Sequence, residues 1–71
     1  MSTIYTKEYK ALTQKLVEAR SESGLKQVNV AKKMGKPQSY ISKIEKGERR
    51  IDIIELKILA EIYNKKVTYF L

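Results

Sequence analysis

Short runs of apolar residues at helical spacing alternate with brief polar interruptions along this chain, and no stretch shows the period-two alternation of a strand. Tyr9, Leu12, Leu16 and Ala19 share one helical face, and Thr6 is placed as an N-cap, so a first helix is predicted from about Lys7 to Ser23. Val30, Ala31 and Met34 predict a second helix from about Gln27 to Met34, and Tyr40, Ile41 and Ile44 a third from Pro37 or Gln38 to Lys46. Proline suits a first turn, where its missing N–H has no intrahelical partner. A fourth helix carries Ile53, Leu56, Leu59, Ala60 and Ile62/Tyr63 and stops near Asn64. Its start is the best marked, with Asp52 and Glu55 as the two halves of a capping box and Ile51 and Leu56 as a hydrophobic staple. Val67 to Leu71 follows as an apolar tail or a short fifth helix capped by Thr68. Gly24, Gly35 and Gly47 each stand just after an apolar run and punctuate the pattern.

Only Gly35-Lys36-Pro37 separates the second and third helices. Helices joined this tightly cross steeply, at roughly 90 to 120°, which is the pattern of a helix-turn-helix and lets the second of the pair enter a DNA major groove. Turning about 100° per residue from Gln38 places Gln38, Ser39, Ser42, Lys43 and Lys46 inside an arc of roughly 140°, with Tyr40, Ile41 and Ile44 on the other side. The polar arc carries groups suited to base edges: Gln for adenine, Lys for guanine, and Ser as donor or acceptor. A solvated helix face has the same appearance. The adjoining turn, with the small Ala31 at the crossing, favours the reading face.

At 71 residues the chain makes one small all-α domain, expected over residues 1–71, and a core of this size gains from a second subunit. Neither cysteine nor histidine is present, which removes disulfides, the usual zinc ligands and the commonest general base. No metal, cofactor or small-molecule ligand is expected. No run approaches the roughly 20 apolar residues of a membrane span, and Met1 to Tyr5 lacks the layout of a signal peptide, so a cytoplasmic, nucleoid-associated protein without membrane contact is expected. Fifteen Lys+Arg against eight Asp+Glu give a net charge of +7, which fits a nucleic-acid partner but is shared by many small basic proteins.

The segment Gln38-Ser39-Tyr40-Ile41-Ser42-Lys43-Ile44-Glu45-Lys46-Gly47-Glu48-Arg49, together with Gln27, Ala31, Gly35 and the Leu56/Leu59/Ala60 stripe, resembles the Cro and phage-repressor type helix-turn-helix domains of the XRE family. The resemblance implies a lambda-repressor-like bundle of about five short helices that binds duplex DNA, usually as a dimer. It places Gln38, Ser39, Ser42 and Lys43 at base-reading positions, and Lys26, Gln27, Tyr40, Lys46, Arg49 and Arg50 at the DNA backbone. It also matches Arg20 and Glu45 to an ion pair between the first and third helices. Lys26 stands where similar proteins usually carry a Ser or Thr cap, and Val28 and Asn29 where Glu is frequent. Tyr63, Val67, Tyr69, Phe70 and Leu71 either close the monomer core or supply a dimer surface.

The leading functional expectation is a sequence-specific DNA-binding transcription regulator, a repressor or autoregulatory controller, acting as a homodimer on a near-palindromic operator. The competing reading is an antitoxin-like module that neutralises a protein partner and binds DNA only for autoregulation, though the helices leave few residues for a separate partner-binding segment. Enzymatic activity is not expected, because the acidic residues are scattered and there is no glycine-rich phosphate loop.

Overall fold

The computed structural model describes residues 6–71 and contains four α-helices and a closing 3-10 turn, with no strand among the described residues. The helices are α1 (Lys7–Ser23), α2 (Gln27–Met34), α3 (Gln38–Glu45) and α4 (Ile53–Ile62), and the 3-10 turn spans Val67–Phe70. Thr6 caps α1 as expected, its hydroxyl accepting the Tyr9 N–H at 3.2 Å. Pro37 sits one residue outside α3 with extended backbone, and its carbonyl accepts the Tyr40 N–H at 3.0 Å. It aims the chain into the helix and is not part of the first turn.

The α2–α3 turn is closed by backbone bonds from Gly35 N to Lys32 O (3.1 Å) and from Lys36 N to Ala31 O (2.9 Å). Gly35 has φ 67°, and a Cβ built there would meet nothing within 4 Å. The glycine therefore answers a backbone requirement and not a shortage of space. Ala31 is the residue under steric demand, lying buried between the helices. After α4 the same closure recurs, with Lys65 N bonded to Ala60 O at 2.8 Å and Asn64 at φ 57°. Asn64 ends the helix in the manner usual for glycine.

Leu16, Ala19, Val30, Ala31, Ile41, Ile44, Leu56, Leu59 and Ala60 form one contiguous core, to which Tyr63 and Phe70 also belong. Those two tail residues, counted among the dimer candidates, are buried inside the monomer. Val67 and Tyr69 pack against the same core and only Leu71 is largely free, at 74% exposed. Thr68 does not cap the tail, which opens after Lys66 with no side-chain cap. A four-residue turn suffices here because its task is to fold Phe70 under α1 and α4, with the Tyr69 and Phe70 rings edge to face at 4.9 Å. Ile53, expected on the buried stripe of α4, is half exposed. Ile53 shares the helix face of Ala60 but is the first residue of α4, at the end of the buried stripe.

Candidate nucleic-acid interface

The side chains of α3 divide as the helical period requires. Tyr40, Ile41 and Ile44 are buried, Gln38, Ser39, Lys43 and Lys46 are exposed, and Ser42 is half-buried at the edge of the polar face. Residues 26–50 carry eight Lys/Arg and two Glu, so six of the chain's seven net positive charges fall in the stretch that contains α2, α3 and the following loop. The charge is thus concentrated in the segment that carries the polar face of α3.

A chain of hydrogen bonds fixes that face to the rest of the bundle. Arg20 on α1 grips Glu45 with two donors, Nε to Oε2 at 2.7 Å and Nη2 to Oε1 at 3.1 Å, while its Nη1 donates to the Leu25 carbonyl at 3.2 Å. Glu45 is only 6% exposed at its side chain. Its Oε1 also accepts the Gln27 amide at 2.8 Å, and Gln38 Nε2 in turn points at Gln27 Oε1, 3.4 Å away. The side-chain amide of Gln27 is therefore engaged within the protein, at the N-terminus of α2. Gln38 keeps its carbonyl oxygen and one amide hydrogen for an outside partner.

Lys26 lies in the open before α2 and supplies no side-chain cap. The cap is provided in reverse, because Asn29 Oδ1 accepts the Lys26 N–H at 3.0 Å. Asn29 thus does what a glutamate would do at that position without adding negative charge near the polar face.

A second cluster surrounds Tyr40, which is 7% exposed and donates its hydroxyl hydrogen to Glu55 Oε2. That proton is committed internally, so the backbone contact expected of Tyr40 is not what this geometry favours. Its ring instead carries the Arg49 guanidinium on one contact (4.5 Å to the centroid) and the Lys36 ammonium on another (5.5 Å). Arg49 also donates to the Arg50 carbonyl at 2.8 Å and meets Glu55 Oε1 at 3.4 Å. The Tyr9 hydroxyl, from α1, donates to the Arg49 carbonyl and pins the loop. Arg50 stands exposed beside it.

Lys36, Tyr9 and Glu55 were not legible as site residues in the sequence. Lys36 is one of several lysines, Tyr9 reads as core, and Glu55 reads only as a helix cap. Glu55 in fact performs three tasks, accepting the Asp52 N–H at 3.1 Å, the Tyr40 hydroxyl and Arg49.

Burial would raise the Glu55 carboxyl, but the Tyr40 and Asp52 hydrogen bonds and the Arg49 charge together outweigh it and hold the group below the ordinary value of 4.5. Burial, reinforced by Glu55, pushes the Tyr40 hydroxyl well above its usual 10, so it remains a proton donor. A carboxyl lowered on folding stabilises fully above pH 4.5, and that stability is lost as the pH falls through the folded value. Urea midpoints followed from pH 6 downward are expected to fall across that window, and Glu55→Gln is expected to make the fall shallower. An identical acid profile in the variant would show that Glu55 is not held by these partners.

Among the described residues no cluster of three or more His, Cys, Asp or Glu could hold a metal ion, and no helix is long and apolar enough to cross a membrane.

A helix-turn-helix family model, HTH_3, matches residues 16–70. No curated protein matches the chain. Among solved structures, an XRE-family like protein from Pseudomonas syringae pv. tomato str. DC3000 is similar, with 38% identity and a TM-score of 0.85 over 96% of this chain and 83% of that one. The family match spans α2, the turn, α3 and the loop that carry the polar face and its cations, and the structural match extends over nearly the whole bundle, so the chain belongs to the XRE family of helix-turn-helix DNA-binding domains.

Proposed function

We propose that this chain is a sequence-specific transcription regulator, a repressor or autoregulatory controller, whose residues 1–71 work as one domain and bind a near-palindromic operator as a homodimer. The domain is a binding module and not an enzyme. The observation that carries the reading is the exposed row of Gln38, Ser39 and Lys43 on α3, opposite a fully packed face and within the most basic part of the chain. Gln38, Ser39, Ser42 and Lys43 read bases in the major groove. Lys26, the N-terminus of α2 at Gln27, Lys46, Arg49 and Arg50 hold phosphates, with Lys36 added beside Arg49 and Tyr40 reassigned to ordering those two cations.

The mechanism is occupancy. Phosphate contacts position the domain and release counterions, α3 selects the sequence, and the bound dimer blocks or recruits polymerase on the nucleoid in the cytoplasm. Arg50 is the cleaner probe of the phosphate set, because Arg49 also stacks on Tyr40 and pairs with Glu55. Titration of duplex DNA over a range of salt concentrations is expected to show that Arg50→Ala weakens specific and random duplexes alike. The slope of log K against log salt should fall by about 1. A loss confined to one sequence would move Arg50 into the base-reading set.

A further inference from the structure

The outer face of α4 carries apolar surface that the monomer does not use. Ile54 and Ile58, one helical turn apart, are 60% and 39% exposed, and Ile62 continues the row, half-buried at the edge of the core. Lys57 and Glu61, also a turn apart, flank this row along one side; both are exposed, and neither takes part in an ion pair within the described residues. Single exposed apolar residues are ordinary, but a row of isoleucines beside a charge pair of opposite sign is a patterned surface.

We infer that this face of α4, and not the C-terminal tail, is where a second copy of this chain docks. The inference rests on the dimeric reading above and gives it a surface. A twofold axis perpendicular to α4 near Ile58 sets the two α4 helices antiparallel. Ile54 then meets Ile62 of the second copy, Ile58 lies near the axis, and the flanking charges align Lys57 with Glu61 of the second copy, twice over. A parallel arrangement about an axis along the helix would put the two Lys57/Glu61 rows on opposite sides of the seam, where they do not meet, so only the antiparallel pairing uses the charge pattern. In the tail, Phe70 is buried in the core with Tyr63, while Val67 and Tyr69 pack against it, and Leu71 is the one apolar side chain left largely free, with no row comparable to that on α4.

A helix of 10 residues is about 15 Å long, and a pair of them covers less than the roughly 1,200 to 2,000 Å² of a stable interface. The free chain is therefore a weak dimer that DNA consolidates.

Sedimentation equilibrium of the free protein and titration of duplexes holding one or two half-sites test this. Ile54→Gln with Ile58→Gln is expected to weaken self-association at least tenfold and to abolish cooperative binding to paired half-sites, leaving single half-site affinity within about twofold of the parent. Lys57→Glu and Glu61→Lys, both at exposed positions that folding tolerates, should each weaken self-association severalfold. An equimolar mixture of the two should associate again, since each supplies the charge the other now lacks. Unchanged self-association in the isoleucine variant, a mixture no better than its components, or a parent chain that stays monomeric with and without DNA would each overturn the proposal. A parent that dimerises but shows no sequence preference would instead strike the regulator reading and leave this surface intact.

Discussion

Arg20→Ala is expected to lower the melting temperature by at least about 10 °C, read by circular dichroism at neutral pH. The variant removes both donors that Arg20 gives Glu45 and the one it gives the Leu25 carbonyl. It leaves a carboxylate that is 6% exposed with the Gln27 amide as its remaining side-chain donor. Breaking one partner of a buried pair typically costs about 3 to 5 kcal/mol, most of it the desolvation of the charge left behind. In a domain this small each kcal/mol moves the melting point by roughly 4 to 8 °C. Arg20→Lys should recover only part of the loss, because an ammonium cannot fork across both carboxylate oxygens. The Lys65–Glu22 pair is the control: Glu22 is 59% exposed, and Glu22→Ala should leave the melting curve nearly in place. A negligible change in Arg20→Ala would show that water, and not the protein, solvates Glu45.

The second large effect is on discrimination between DNA sequences. Gln38 is exposed, yet its amide is directed by Gln27, which is itself held by Glu45. With one amide hydrogen turned toward Gln27, the remaining hydrogen and the carbonyl form the donor–acceptor fork that adenine N7 and N6 require. Lys43, on the same face one turn on, suits guanine O6 and N7. Gln38→Ala and Lys43→Ala are each expected to erase preference at one base pair per half-site. That loss is about 1 to 3 kcal/mol of discrimination, or roughly 5- to 150-fold, with affinity for random duplex nearly unchanged. Binding of single-base operator variants would show it. If both variants lost specific and random binding in equal measure, these residues would be touching phosphate, and the reading face would lie elsewhere.

The helices and the turn were legible in the sequence because each was marked by more than one signal. Periodicity, a cap and a terminating residue agree at Thr6 and Gly24 for α1 and at Asp52 and Asn64 for α4. Pairings between segments were less visible. The Arg20–Glu45 contact came from resemblance, and nothing in spacing alone joins residues 25 positions apart. The relay through Gln27 to Gln38 depends on how α2 and α3 cross, and the Tyr40–Glu55–Arg49 cluster on how the start of α4 meets α3 and the loop between them, neither of which periodicity encodes. The tail stayed open between two readings for the opposite reason. Tyr63 and Phe70 are as apolar as an interface would be, and only their position under α1 and α4 shows that the monomer has already buried them. Ile54 and Ile58 lie off the Leu56/Leu59/Ala60 stripe, and periodicity alone does not tell an ordinary exposed apolar residue from one that a second copy covers.

The central claim is that α3 selects DNA sequence by way of Gln38, Ser39, Ser42 and Lys43. Selection of bound duplexes from a random pool, followed by sequencing, tests it most directly. The account predicts enrichment of one near-palindromic site whose half-sites lie about one helical turn, roughly 34 Å, apart centre to centre. A pool that stays random after repeated rounds, with binding that follows salt alone, would contradict it.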